Sequence, residues 1–268
     1  MSENKDINYR AMKAISVPNN EKSAYRISQI IMEAVHPESV VDIGCGIGVW
    51  LKAFEKRGVK KIHGVDGTWV KDWRLEVPSE YIETYDFEDA GHEPQCLADG
   101  NHFDLAICLE MGEHLSSERA DVLVDTLVRL SNVVYFSGAT PRSGGMHHVN
   151  ERWQSYWIHK FEERGYQCID YVRPKIWNKY HEICYFYAEE SFLFVKKDCL
   201  QDYPLLAEYQ QESIYDCVHP EHFLGQCIKP THDWDWLLVC QKRLLQAYGI
   251  KLRQFFKVGS KINKGKLG

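Results

Sequence analysis

The sequence predicts an α/β fold: a Rossmann-like, doubly wound, mostly parallel sheet with helices on both faces, plus a C-terminal helical and irregular extension. Three observations carry this. Short runs that are apolar throughout, such as DLAICLE and NVVYF, alternate with segments of helical periodicity. Strands covered on both faces read in this way, because each side of such a strand meets a helix rather than water. A glycine-rich turn, Asp42-Ile43-Gly44-Cys45-Gly46-Ile47-Gly48, stands where the first apolar run gives way to a helical pattern. The chain has 268 residues and is 44% hydrophobic, enough for one large core.

The elements follow in order. Residues 1–20 read as a flexible lead-in ending at Pro18-Asn19-Asn20. Ile27, Ile30, Ile31 and Val35 then recur at helical spacing, stopped before Pro37. ESVVDIG is the first strand and VWLKAFEKRG a helix with Gly58 past its end. KKIHGVDG is a second strand ending on an acid, and EYIETYDFED a third. HFDLAICLE is the fourth. SSERADVLVDTLVRL is a helix with Ser116 or Ser117 as its N-cap and Leu123, Leu127 and Leu130 on one face. NVVYFSGATP is the fifth strand and ERWQSYWIHKFEERG a helix. YQCIDYV and SFLFVKK close the sheet. From about residue 200 the pattern becomes irregular and aromatic-rich. An amphipathic helix is expected in DWDWLLVCQKRLLQAYG. The organisation is therefore a lead-in (1–20), a ligand-binding α/β domain (21–198) and an extension (199–268) that forms a lid or an interface.

Composition excludes several classes. A net charge of -6 gives no bulk reason to bind nucleic acid. MSENKDINYRAMK has no apolar secretion core, and no run approaches the roughly 18 apolar residues of a membrane span. The nine cysteines are an odd number with no C-x-x-C pair, which reads as reduced core thiols in a cytoplasmic protein. The last residues carry Lys251, Arg253, Lys257, Lys261, Lys264 and Lys266 without an acid. A solvated tail is the expectation, with contact to a membrane surface or polyanion as the weaker alternative.

The glycine turn allows a tight bend and lets a ligand approach the backbone at the carboxyl end of a strand. A dinucleotide fingerprint would place its third glycine at Val49; here it comes one residue earlier, at Gly48. Asp66 follows about twenty residues on, where an acid meets ribose hydroxyls. Asp86 ends the third run.

With Asp66, Asp86 and CLEMGEHL in order behind VVDIGCGIG, residues 20–197 resemble the class I S-adenosylmethionine-dependent methyltransferases. The resemblance implies that Gly44, Cys45, Gly46 and Gly48, with Asp42 nearby, surround the methionine part of that cofactor. Asp66 and Gly67 would meet the ribose, Asp86 and Phe87 would border the adenine, and Leu109 and Glu110 would lie beside the sulfonium. HVNERWQSYWIHKFEERGY, IDYVRPKIW, ESFLFV and YDCVHPEHFL resemble a subgroup that modifies glycans and natural products. Members of that subgroup more often carry glycine where His147 stands, and a WY pair with polar Gln-Asn where this chain has YFYAEE.

The acceptor side is read from two loops. Glu113 and His114 follow the fourth strand; His147 and His148 follow the fifth. A hydroxyl acceptor benefits from a base, and His148, in H-V-N-E, is the first candidate, with Glu113 and His114 beside it. Plain loop hydrogen bonding is the alternative for all three. His147, Asn150 and Trp153 are candidate acceptor contacts. Asn150 also suits an N-cap, with Glu151 in the first turn. Trp153, Trp157 and Phe161, at i, i+4 and i+8, suit a core stripe. No metal is expected, because consecutive residues rarely aim side chains at one point and no H-E-x-x-H register is present. The expected activity is O-methylation of a hydroxyl on a sugar, glycan or related small molecule. Protein or RNA methylation and a catalytically silent cofactor-binding module are the alternatives; a nicotinamide oxidoreductase is more distant.

Overall fold

The structure, a computed structural model, describes residues 20–89, 93–209 and 214–228. The expected lead-in up to residue 19, the helix expected at 233–249 and the basic tail lie outside these residues, while Asn20, counted in the lead-in, is already helical. The chain divides into two units, 1–224 and 225–268, and the sheet and the glycine turn belong to the first.

Seven strands form one sheet: β1 (Ser39–Ile43), β2 (Lys61–Asp66), β3 (Ile82–Thr84), β4 (Leu105–Leu109), β5 (Val133–Ser137), β6 (Tyr166–Ile169) and β7 (Phe192–Lys196). Their order is β3-β2-β1-β4-β5-β7-β6. The first five pair in parallel; β7 runs antiparallel to both β5 and β6. The order reverses between β1 and β4, and this switch point is where open α/β sheets take ligands.

Side chains alternate between two cores. Val40, Leu105, Ile107, Val133, Tyr135, Leu193 and Val195 face helix α1 (residues 20–35), α2 (Val49–Glu55) and the short helices α6 (Arg173–Ile176) and α7 (Tyr185–Glu190). Val41, Ile43, Ala106, Cys108, Val134, Phe136 and Phe194 face α4 (Ala120–Leu130) and α5 (Gln154–Glu162). The remaining helices are α3 (Gln95–Ala98), α8 (Pro204–Ala207) and α9 (Pro220–Ile228). Both faces being covered explains why β4 and β5 are buried throughout and apolar up to Ser137.

Two boundary expectations differ. The third strand is only Ile82–Thr84, so Asp86 lies two residues beyond it. The Ser116 hydroxyl does not cap α4; it donates to Glu88 at 3.0 Å, and a 3-10 turn at Ser117–Arg119 leads into the helix. No helix among the described residues is long and apolar enough to cross a membrane.

Candidate active site

The glycine turn leaves β1 at its carboxyl end with Gly44, Gly46 and Gly48 at φ of 83°, 52° and 83°. These are left-handed angles that glycine adopts at little cost. A Cβ at Gly44 would lie 2.9 Å from Met111, and one at Gly48 2.7 Å from Val77, whereas Gly46 faces open space. Asp66, the last residue of β2, accepts the Gly46 N–H at 2.6 Å and the Gly67 N–H at 2.6 Å. Burial pushes its carboxyl up to about 6, against the Gly46 and Gly67 amides and a hydrogen bond from Trp69. The Trp69 ring also covers Gly67. Asp42 is buried below the turn, and burial, then the Asp66 charge, holds its carboxyl well above the usual range. The Cys45 sulfur packs against Gly64 of β2. Asp86 is exposed and accepts the Glu88 N–H at 3.0 Å. The Phe87 ring is buried edge-to-face on Tyr85 at 4.7 Å.

Beyond β4 the chain turns sharply. Leu109 is buried, and Glu110 takes φ 55°, a strained angle for a side chain of its size. The Ser137 hydroxyl holds it by donating to Glu110 Oε1 at 2.7 Å. A 3-10 turn, Gly112–His114, follows. It is stitched to the loop after β5: the Glu113 carbonyl accepts the N–H groups of Val149 (2.8 Å) and Asn150 (3.0 Å). Asn150 Nδ2 donates to the Gly112 carbonyl at 3.4 Å, and its Oδ1 accepts Arg152 Nε at 2.7 Å. Asn150 is therefore not an N-cap. Helix α5 begins at Gln154, with Trp153 in the cap position and 44% exposed.

Glu151 does not sit in a helical first turn either. Its two oxygens accept the N–H groups of Gly144 (2.9 Å) and Arg142 (2.7 Å), and Oε1 also meets His148 Nδ1 at 3.0 Å. Burial opposes its charge, but the Arg142 and Gly144 amides and His148 together hold the carboxyl below its ordinary range. With Nδ1 held, Nε2 is the nitrogen of His148 left for other work. The His148 ring meets His114 edge-to-face at 4.9 Å. Burial, then His148, pulls His114 down to about 4. The Glu113 carboxyl is completely buried, and burial followed by the Glu110 charge drives it well above the usual range. His147 is exposed and takes φ 61°.

Two further acids reach this side from α7. Glu190 accepts the Thr140 N–H at 2.9 Å and the Ser143 hydroxyl at 3.2 Å, and it hydrogen-bonds Glu110. Burial, then the Glu110 charge, pushes its carboxyl well up. Glu189 accepts the Thr140 hydroxyl, the His219 N–H at 2.7 Å and His222 Nδ1 at 2.9 Å. Sequence reasoning named neither acid as a site residue, nor Met111, Trp69 or Ser137. The one available signal was the acid pair Glu189-Glu190 standing directly before the apolar run SFLFV.

The turn fits a nucleoside-bearing cofactor: open space stands over Gly46, and the Asp66 carboxylate lies beside it. Residues 20–193, more than half of the chain, match the family model described as a methyltransferase domain. A ubiquinone biosynthesis O-methyltransferase of Neisseria meningitidis serogroup C is 29% identical over 101 residues, 37% of this chain and 42% of that protein. The chain thus spans less than half the length of this curated relative. Streptomyces venezuelae DesVI superposes with a TM-score of 0.51 at 12% identity, covering 69% of this chain and 96% of that one. Magnesium protoporphyrin IX methyltransferase from Synechocystis PCC 6803, solved with bound SAM, gives 0.44 at 15% identity over 66% and 80% of the two chains. The match across residues 20–193, on a sheet of this order, decides the family: the chain belongs to the class I S-adenosylmethionine-dependent methyltransferases.

Proposed function

We propose that the protein transfers a methyl group from S-adenosylmethionine to a hydroxyl oxygen of a small molecule, with sugars and glycans as the acceptor class. One observation carries the reading. The β4 and β5 loops, bonded to each other through Glu113, Val149 and Asn150, bring Glu113, His114 and His148 together on the same end of the sheet as the glycine turn and Asp66. The partial likeness to an O-methyltransferase supports oxygen as the acceptor atom.

The cofactor supplies an electrophilic methyl on a sulfonium. Gly44, Cys45, Gly46 and Gly48, over Asp42, surround its methionine part in this reading. Asp66 and Gly67 meet the ribose, Asp86 and Phe87 flank the adenine, and Leu109 and Glu110 stand at the transfer point. Glu151 keeps the proton of His148 on Nδ1, so that Nε2 can take the acceptor proton as the new C–O bond forms. Trp153 offers a half-exposed aromatic face of the kind on which sugar rings pack, and His147 an exposed imidazole in the same loop. Most of the rate comes from holding the acceptor oxygen in line with the methyl.

Calorimetric titration with S-adenosylhomocysteine should show one site, lost in Gly46→Arg. Incubation with methyl-labelled cofactor and a pool of sugars and small glycans should place label in the small-molecule fraction. Label confined to protein or RNA would sink the acceptor class; no binding of the cofactor product would sink the whole reading.

A further inference from the structure

The loop pair offers more than a base. Glu113, His114 and His148 each present one ligand-type atom, and the three atoms lie within 4.8 Å of one another. Ligands around one ion at about 2.0–2.2 Å sit roughly 3–4 Å apart, so modest side-chain rotations close the set. We propose that these three side chains bind one first-row divalent transition-metal ion on the acceptor side of the catalytic mouth.

Three independent observations point to a cation here. First, Glu113 is 0% exposed, and neither carboxyl oxygen has a well-formed hydrogen bond among the described residues, although the Glu113 and Ala139 amides stand near enough to temper its charge. A carboxyl in that state keeps its proton unless a cation takes the proton's place, and a metal ion seated there would supply that countercharge. Second, both imidazoles are oriented from behind, as metal-bound histidines generally are. Glu151, pinned by two backbone amides, holds His148 Nδ1, and the His147 backbone holds the His114 ring. Third, the ligands come from two loops that are bonded together through the Glu113 carbonyl, so the set is assembled by the fold itself.

Two imidazoles and one carboxylate suit zinc, iron(II), cobalt(II) or manganese(II) better than calcium. Three protein ligands leave positions open, where an acceptor hydroxyl could bind and lose its proton more readily to water. Only that last consequence rests on the proposed function; ion binding stands by itself. It also competes with the base role, because the same Nε2 lone pair serves one or the other.

A second cluster, His63, Glu83 and Cys96, provides a control. There the carboxylate is already satisfied by the N–H groups of Gln95 and Cys96 and by His63, so no orphaned oxygen calls for an ion.

The test is titration of the full-length, chelator-treated protein with Zn2+, Mn2+ and Co2+, with visible absorption followed for Co2+. One saturable site per chain is expected, with Co2+ bands of a nitrogen- and oxygen-ligated ion. Glu113→Gln and His148→Gln should each weaken it at least about tenfold, Glu151→Gln about 10- to 100-fold, and His63→Ala not at all. Affinity for S-adenosylhomocysteine, measured alongside, reports that each variant is folded. Where a ligand variant fails that check, the wild-type Co2+ spectrum and Glu151→Gln decide. Absence of saturable uptake overturns the proposal, as does uptake unchanged in Glu113→Gln and His148→Gln, or uptake lost in His63→Ala. Tight ion binding without cofactor binding would retain the metal site and refute the methyltransferase reading instead.

Discussion

Asp66 takes two backbone N–H groups into a buried setting, and burial still dominates, leaving its carboxyl at about 6. A raised acid favours the protonated native state, so its contribution to stability is complete below the unfolded value near pH 4 and is lost as pH rises through about 6. In the ribose role proposed for Asp66, the hydroxyls would donate to the ionised form, so cofactor affinity is expected to move the other way. Calorimetry with S-adenosylhomocysteine should show affinity falling about tenfold per unit as pH drops below 6. Asp66→Asn should bind weakly with no slope in that window, while melting higher than wild type at pH 7 in the absence of ligand. Equal slopes for the two proteins would remove Asp66 from the ribose role. The place of Asp66 at the end of β2, bonded to the Gly46 amide, was legible because its distance from the glycines is a property of the chain. His147 was not. Its φ of 61° is a left-handed angle that glycine takes most readily, so a histidine here carries backbone strain. A sequence displays the paired histidines; it does not display the backbone angle that separates their surroundings.

Helix α5 shows how an element is set by its neighbours. Trp157, 2% exposed, lies against two glycines: a Cβ at Gly112 would come 2.7 Å from its ring, and one at Gly138 3.0 Å from Nε1. Those glycines belong to the very loops that carry Glu113 and lead to His148, so the helix acts as a backstop for the proposed acceptor side. Gly112→Ala should overpack this contact at about 1–3 kcal/mol, read as a lower melting temperature of roughly 2–4 °C per kcal/mol. Methyl transfer should fall further than affinity for S-adenosylhomocysteine if, as proposed, the displaced turn holds the acceptor. An alanine that melts and turns over as wild type would show the backstop to be idle. Of the expected core stripe Trp153, Trp157 and Phe161, the last two are buried and made the helix legible, whereas Trp153 stands in the cap position and is 44% exposed. The start of the helix was not legible, because Asn150 spends its side chain and its amide on the Gly112 and Glu113 carbonyls of another loop. Capping rules describe local competition for backbone groups, and here a long-range partner wins.

Across the whole described unit, the parallel half of the sheet was readable from strands apolar on both faces. The antiparallel β7, and with it the placement of α7, depends on which strand β7 pairs with, and no local pattern encodes that choice. Glu189 and Glu190 therefore come to the site from about fifty residues beyond Thr140. What fixes this distant segment is Arg173. It grips Asp170 with two bonds, at 2.9 and 2.7 Å, donates to the carbonyls of Glu189 (3.0 Å), Ile214 (2.9 Å) and Tyr215 (3.2 Å), and stacks on Phe192 at 4.0 Å. All of this is nearly sealed from water, Arg173 being 3% exposed. Arg173→Ala strands a buried carboxylate and three carbonyls, so a loss of about 3–5 kcal/mol is expected. Arg173→Lys retains the charge but not the planar fork and should recover only part of it. Removing both ends of the pair, as Arg173→Met with Asp170→Leu, should melt above Arg173→Ala, since no buried charge is then left alone. The decisive reading is proteolysis. If Arg173 ties residues 214–217 to the sheet, cleavage in the 200–224 stretch should accelerate in Arg173→Ala before the sheet itself melts, and methyl transfer should decline with it as Glu189 loses its seat. Uniform susceptibility along the chain would instead make Arg173 a general prop of the core.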